Sequence, residues 1–230
     1  LGFYFFWVMA VSGVYLYAFF DTGVHEAYDS VERLTRGQWF AGGVMRSLHR
    51  HAADAFVVVM LLHLVKETLH ARYRGFRRFS WLTGVPLLWL AYASGIGGYW
   101  LVWDRVAQFS VTATVEWLDW LPLFAEPLAR NFAQAGAVSD RFFSLLSFLH
   151  IGIPLLLLLA MWMHIQRVSL ADTAPPRRLG WATLAVLLLL ALIRPALSAA
   201  PADLATEPVR IGLDWFYLVV DPLMYRTSPA

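Results

Sequence analysis

For twenty-five consecutive positions, residues 142–166, the chain carries no Asp, Glu, Lys or Arg. A helix needs roughly 20 mostly apolar residues to cross the hydrocarbon of a bilayer. Residues 1–20 and 81–103 are equally free of charge, and 179–200 is broken only by Arg194. Residues 42–70 have a helical pattern that is polar at both ends. These runs predict five membrane-spanning helices. Backbone groups in lipid must be satisfied within the segment, so the expected fold is all-α and polytopic. Composition agrees: 59% of residues are hydrophobic and 15% charged, where soluble domains carry about 25% charged residues. A net charge of only +2 makes no case for nucleic-acid binding.

The connections carry the polar residues. Residues 21–41 hold Asp21, Glu26, Asp29 and Glu32. The longer connection, 104–141, sets Trp117, Trp120, Leu121 and Leu123 among acids and is expected to form short helices at the membrane surface. Lys66, Arg72, Arg74, Arg77 and Arg78 follow the second span, and Arg167, Arg177 and Arg178 follow the fourth. The positive-inside rule puts these two connections on the cytoplasmic side of a bacterial-type inner membrane. The connections after the first and third spans, and the tail from Pro201, then lie outside. The chain begins inside an apolar run, without Met and without a cleavable leader. Residues are expected to be missing before Leu1, and the Pro-containing C-terminus is also read as incomplete.

Seven histidines are present: 25, 49, 51, 63, 70, 150 and 164. His49 and His63 are fourteen residues apart, and so are His150 and His164. Chance placement would give about 0.2 such pairs. Fourteen helical residues rise about 21 Å and end about 40° short of four turns, so each pair shares a helix face at two depths. The second and fourth spans run in the same direction. His49 can then oppose His150 near the outside, and His63 can oppose His164 near the cytoplasm. Two stacked bis-imidazole sites suit haem b, whose iron takes two axial imidazoles and whose apolar macrocycle suits a bundle interior. Zinc would need three or four ligands at one place. The competing reading is that these are packing or proton-pathway histidines. His25, His51 and His70 sit at or near span ends and are read as having no cofactor role. Cysteine is absent, which excludes iron–sulfur clusters and thioether-bound haem within this chain.

Gly84 and Gly98 are also fourteen apart, and Gly13 on the first span is a further site where a haem edge could approach backbone closely. Arg46, three residues before His49, is placed to meet a haem propionate. Asp54 is expected to pair with Arg50.

These residues resemble the cytochrome b family of quinol-oxidising bc-type complexes. RSLH at 46–49 followed by His63, and RFFSLLSFLHIGIP at 141–154 followed by His164, are similar to its two ligand helices. SGIGGYWLVWD at 94–104 resembles the third-helix motif, with Val102 in place of Pro. SGVYLYAFFDTGVHEAYDSVERL at 12–34 is similar to the end of its first helix and the loop that follows. ADLATEPVRIGLDWFY at 202–217 resembles the segment leading to the family's Pro-Glu-Trp-Tyr motif, which here reads Leu213-Asp214-Trp215-Phe216. The resemblance implies a dihaem four-helix bundle over residues 1–170. Residues 171–230 would be a fifth helix and outward tail like the start of the family's C-terminal half.

It also implies two haem b groups. His49 and His150 would bind the outer iron, and His63 and His164 the inner. The chain would move electrons between quinone and partner subunits such as an iron–sulfur protein or a cytochrome c, with a homodimer as the family's assembly. Asp214 would be the proton acceptor of an outer quinol site with Tyr99, Trp103 and Tyr217. Lys66 and Gln166 would lie at an inner quinone site. Two alternatives stand beside this reading. One is a haem b anchor passing electrons from a periplasmic catalytic subunit to quinone. The other is a transport protein with proton-pathway histidines and no haem.

Overall fold

Each of the five long apolar runs folds into one helix in the computed structural model, which describes residues 1–120, 138–168, 170–206 and 210–227. In chain order the helices are α1 (Gly2–Tyr17), α2 (Glu26–Glu32), α3 (Val44–Leu69), α4 (Arg78–Val102), α5 (Arg105–Trp120), α6 (Asp140–Ile165), α7 (Arg177–Ile193) and α8 (Asp221–Arg226). Two wide turns, Arg33–Gly37 and Trp39–Gly43, join α2 to α3, and a tight turn, Gly75–Arg77, precedes α4. Among the described residues no strand forms. Asp104 and Pro201 make an isolated bridge.

By length and composition, Gly75–Val102 and Asp140–Ile165 are long and apolar enough to cross a membrane, and α1 is a shorter apolar helix. Pro86 lies inside α4 and Pro154 inside α6, a placement membrane helices tolerate better than soluble ones.

The fifth predicted span, 179–200, requires correction. The helix starts earlier, at Arg177, and stops at Ile193. Pro195 follows Arg194 and disfavours helical geometry there; Arg194 has φ −135° and ψ 66°. Residues 194–200 therefore leave the helix. The predicted connection 104–141 contains α5, which carries Trp117 and Trp120; Leu121 and Leu123 lie outside the described residues. The tail also forms the short helix α8, which its composition did not suggest.

Two compact units can be described separately. The first comprises Leu1–Phe20, Glu32–Ala93 and Gly152–Leu197. Its core is built from one-turn repeats: Leu48, Ala52 and Phe56 on α3, Leu87 and Ala91 on α4, and Leu157 and Met161 on α6, with Phe5, Phe6 and Leu187. Residues four apart stack on one helix face, so these stripes meet. The opposite faces are just as apolar. Val14 is 72% exposed, Leu155 63% and Trp89 67%. Helices apolar on every side, with their outer faces uncovered, are built for lipid.

The second unit comprises Asp21–Val31, Ser94–Ile151 and Ser198–Ala230. Here α5 packs on α8, with Phe109 stacked on Tyr225 at 4.2 Å. Trp117 donates its Nε1–H to the Met224 carbonyl at 3.1 Å. Helix α4 ends at Trp103, which takes a left-handed φ of 51° and is buried against Phe142 and Phe143. Asp104 then starts α5: its Oδ1 accepts from the Val106 and Ala107 N–H groups, each at 3.0 Å. Its Oδ2 accepts from the Ala199 N–H at 2.9 Å. Gln108 pins the same tail, donating to the Asp203 and Thr206 carbonyls at 2.7 and 2.9 Å and accepting from the Asp203 N–H at 2.8 Å.

Candidate functional site

Helix α3 carries His63 and α6 carries His164, and in the first unit these rings face one another. Two imidazoles on opposite sides of one metal ion have bonds of about 2 Å to it and about 1.1–1.2 Å more to each ring centre, so their centroids lie about 6.3 Å apart. The centroids of His63 and His164 are 6.3 Å apart, with the ring planes at 77°. Among the described residues no three His, Asp or Glu side chains converge as a metal-binding group. Axial haem ligation needs only two.

The hydrogen bonds set which nitrogen is available. Thr83 donates its hydroxyl proton to the Phe79 carbonyl at 2.9 Å, so its Oγ1 can accept from His164 Nδ1–H, 3.1 Å away. His49 Nδ1 lies 3.0 Å from the Met9 carbonyl and 3.1 Å from Ser12 Oγ. In the second unit His150 Nδ1 lies 2.9 Å from the Ser94 carbonyl. A carbonyl only accepts, so these Nδ1 atoms carry the proton and leave the Nε2 lone pair free. Fixing one ring nitrogen so that the other can bind metal is the usual support for a ligating histidine.

Each predicted glycine meets an imidazole. A Cβ on Gly13 would stand 3.1 Å from His49 Cε1, one on Gly84 3.3 Å from His164 Cε1, and one on Gly98 2.9 Å from His150 Cε1. Close approach is therefore required at the imidazole itself, a reason different from the haem edge the sequence suggested. The residues of the first unit thus fit haem: His63 and His164 have their ring centres at metal-bridging distance, and Gly84 admits the His164 ring.

A family model described as cytochrome b/b6/petB matches residues 1–171. The chain belongs to the cytochrome b family. A solved structure titled "Hyperthermophilic respiratory Complex III" shares the fold, with a TM-score of 0.79 and 19% identity over all of this chain and 69% of that one. This cytochrome b is accordingly a haem-carrying membrane subunit of electron transport.

Other residues singled out in the sequence of this cytochrome b have definite surroundings. Arg46 is largely covered, donating to Thr35 Oγ1 at 2.6 Å with Glu32 at 3.6 Å. Arg50 pairs with Asp54 at 3.1 Å. In the second unit Tyr99 and Tyr217 pack with centroids 6.1 Å apart. Asp214 Oδ1 accepts from the Phe216 and Tyr217 N–H groups at 2.8 and 2.6 Å, so the carboxylate shapes the turn that presents Tyr217. Gln166 donates to the Trp162 carbonyl at 3.0 Å, and the Lys66 carbonyl accepts from His70 Nδ1 at 2.8 Å. His51 Nε2 is 2.9 Å from the Arg194 carbonyl, where it holds the end of α7.

Sequence reasoning missed Ser12, Thr83, Ser94 and Gly95. Tyr217 lies so tightly on Gly95 that any side chain there would overlap its ring. A signal existed in three places: Ser12 precedes Gly13, Thr83 precedes Gly84 and Ser94 precedes Gly95, a small hydroxyl beside a glycine each time.

Proposed function

We propose that this cytochrome b binds two haem b groups and carries electrons across the membrane between a quinone site and partner redox subunits. His63 and His164 hold the inner haem; His49 and His150 hold the outer. The spacing of the inner rings, with the Thr83 contact to His164 Nδ1, is the observation that carries this reading. Thr83, Ser94, Met9 and Ser12 orient the rings, Gly13, Gly84 and Gly98 make room for them, and Arg46 pairs with a propionate. Bound haem b supplies a one-electron carrier at each depth. The basic connections after the second and fourth spans lie on the cytoplasmic side, and the acidic-leaning ones lie outside. An iron–sulfur protein or a cytochrome c is the expected partner, in a dimeric complex.

Asp214, Tyr99, Trp103 and Tyr217 belong to an outer quinol site, where Asp214 takes up the proton released on oxidation. Lys66 and Gln166 belong to an inner one. A pyridine haemochrome assay on the purified protein tests the proposal. Two haem b per chain, falling to one in His63→Ala, supports it; no haem in the native protein would transfer the case to a proton-pathway transporter.

Because Asp214 also acts as a backbone cap, a haem b anchor serving a periplasmic catalytic subunit is the second reading. Asp214→Asn separates the two, since Asn keeps a capping oxygen and loses the proton acceptor. Lost quinol oxidation with both haems retained supports the quinol-oxidising reading. Unchanged oxidation supports the anchor.

A further inference from the structure

We infer that the turn between α3 and α4 is a binding site for one anionic phospholipid. Tyr73, Arg74, Gly75, Arg78, Trp81 and Leu82 line an open hollow of about 440 Å³. Gly75, at φ 63°, turns the chain there in a conformation that glycine adopts without strain. The hollow is strongly basic: residues 66–80 hold Lys66, Arg72, Arg74, Arg77 and Arg78 against the single acid Glu67. Glu67 is taken by Arg72, 4.0 Å away. Arg74 stacks over the Tyr73 ring at 5.1 Å, which fixes its guanidinium without neutralising it. Among the described residues neither Arg74 nor Arg78 has a carboxylate partner. Two uncompensated guanidinium groups in one hollow suit a phosphate diester.

A free anion would use only the charges, but this hollow continues into an apolar track. Leu82, Pro86, Trp89 and Ala93 are all exposed on α4. They recur at steps of four, three and four, so they form one stripe running about 16 Å along the helix from the arginines. Phe76, next to Gly75 in the chain, is 75% exposed. Helix α4 is apolar enough to lie in a membrane, and Trp and Tyr at its end belong at the headgroup level. The phosphate sits between Arg74 and Arg78, and an acyl chain lies along the stripe. The site is separate from the haem ligands and uses none of them.

The test is native mass spectrometry of the full-length, haem-loaded protein in detergent, titrated with phosphatidylglycerol or phosphatidylcholine. One phosphatidylglycerol per chain is expected, held about 30-fold more tightly than phosphatidylcholine, from two basic side chains near an anionic headgroup. The double variant Arg74→Gln/Arg78→Gln should lose most of this preference while its haem spectrum stays unchanged. A charge-matched control, Arg177→Gln/Arg178→Gln, should keep it. Equal retention of both lipids by the native protein overturns the site, and that comparison stands even if a variant fails to fold. An equal loss in the control would make it bulk electrostatic attraction. Displacement by millimolar inorganic phosphate would make it an anion site and not a lipid site.

Discussion

Of the three predicted glycines that meet an imidazole, Gly98 is the tightest: an added Cβ would stand 2.9 Å from the His150 ring, against 3.1 Å for Gly13 and His49 and 3.3 Å for Gly84 and His164. The imidazole must shift to admit a methyl group, and its neighbours leave it little freedom. Gly98→Ala should therefore lose the outer haem, halving the haem b content, while Gly84→Ala loses less; the pyridine haemochrome assay measures both.

A second residue-scale prediction concerns Asp221. Asp221 is 1% exposed, its Oδ2 has no hydrogen-bond partner, and the Ser110 hydroxyl lies beside its carboxyl. Burial pushes its pKa from 3.8 up to about 6, with the Ser110 bond opposing. The folded state thus holds the proton more tightly than the unfolded chain. The resulting stability is complete below about pH 4 and is lost as pH rises through about 6. Asp221→Asn should stabilise the protein at pH 8 by up to about 3 kcal/mol and by about half as much at pH 5. Thermal unfolding at the two pH values is the measurement.

At the scale of elements, Asp104 joins two pieces of backbone: it caps α5 and holds the tail at Ala199. Replacing a capping carboxylate costs about 0.5–2 kcal/mol, and the half-buried Ala199 N–H would be left without its partner. Asp104→Ala should lower the melting temperature and expose the tail to limited proteolysis between residues 198 and 206. Cleavage no faster than in the native protein would show that Gln108, which binds Asp203 on both sides of its amide, suffices to hold it.

For the whole molecule, the distribution of basic residues predicts sidedness, and the absence of cysteine makes the test clean. Single cysteines placed at Arg77 and at Asp172 should react with a membrane-impermeant thiol reagent only from the cytoplasmic side. One placed at Thr22 should react only from the outside. Identical accessibility at all three positions would refute the proposed orientation.

The uncharged runs and the two fourteen-residue histidine spacings are local and periodic, so the sequence by itself determined the five long helices, the helices that carry the proposed ligands and the family. It placed four of their histidines on shared faces, and it paired Arg50 with Asp54 because four residues make one turn. Tertiary structure alone decided what supports those histidines. His49 is met by Ser12 across 37 positions, His150 by Ser94 across 56 and His164 by Thr83 across 81. It also decided that Tyr217 rests on Gly95, that Gln108 pins the tail, and that Asp221 is buried against α5. Helix periodicity follows from the backbone and repeats every few residues, whereas these contacts depend on which distant helices pack together, a choice that no short stretch of sequence encodes.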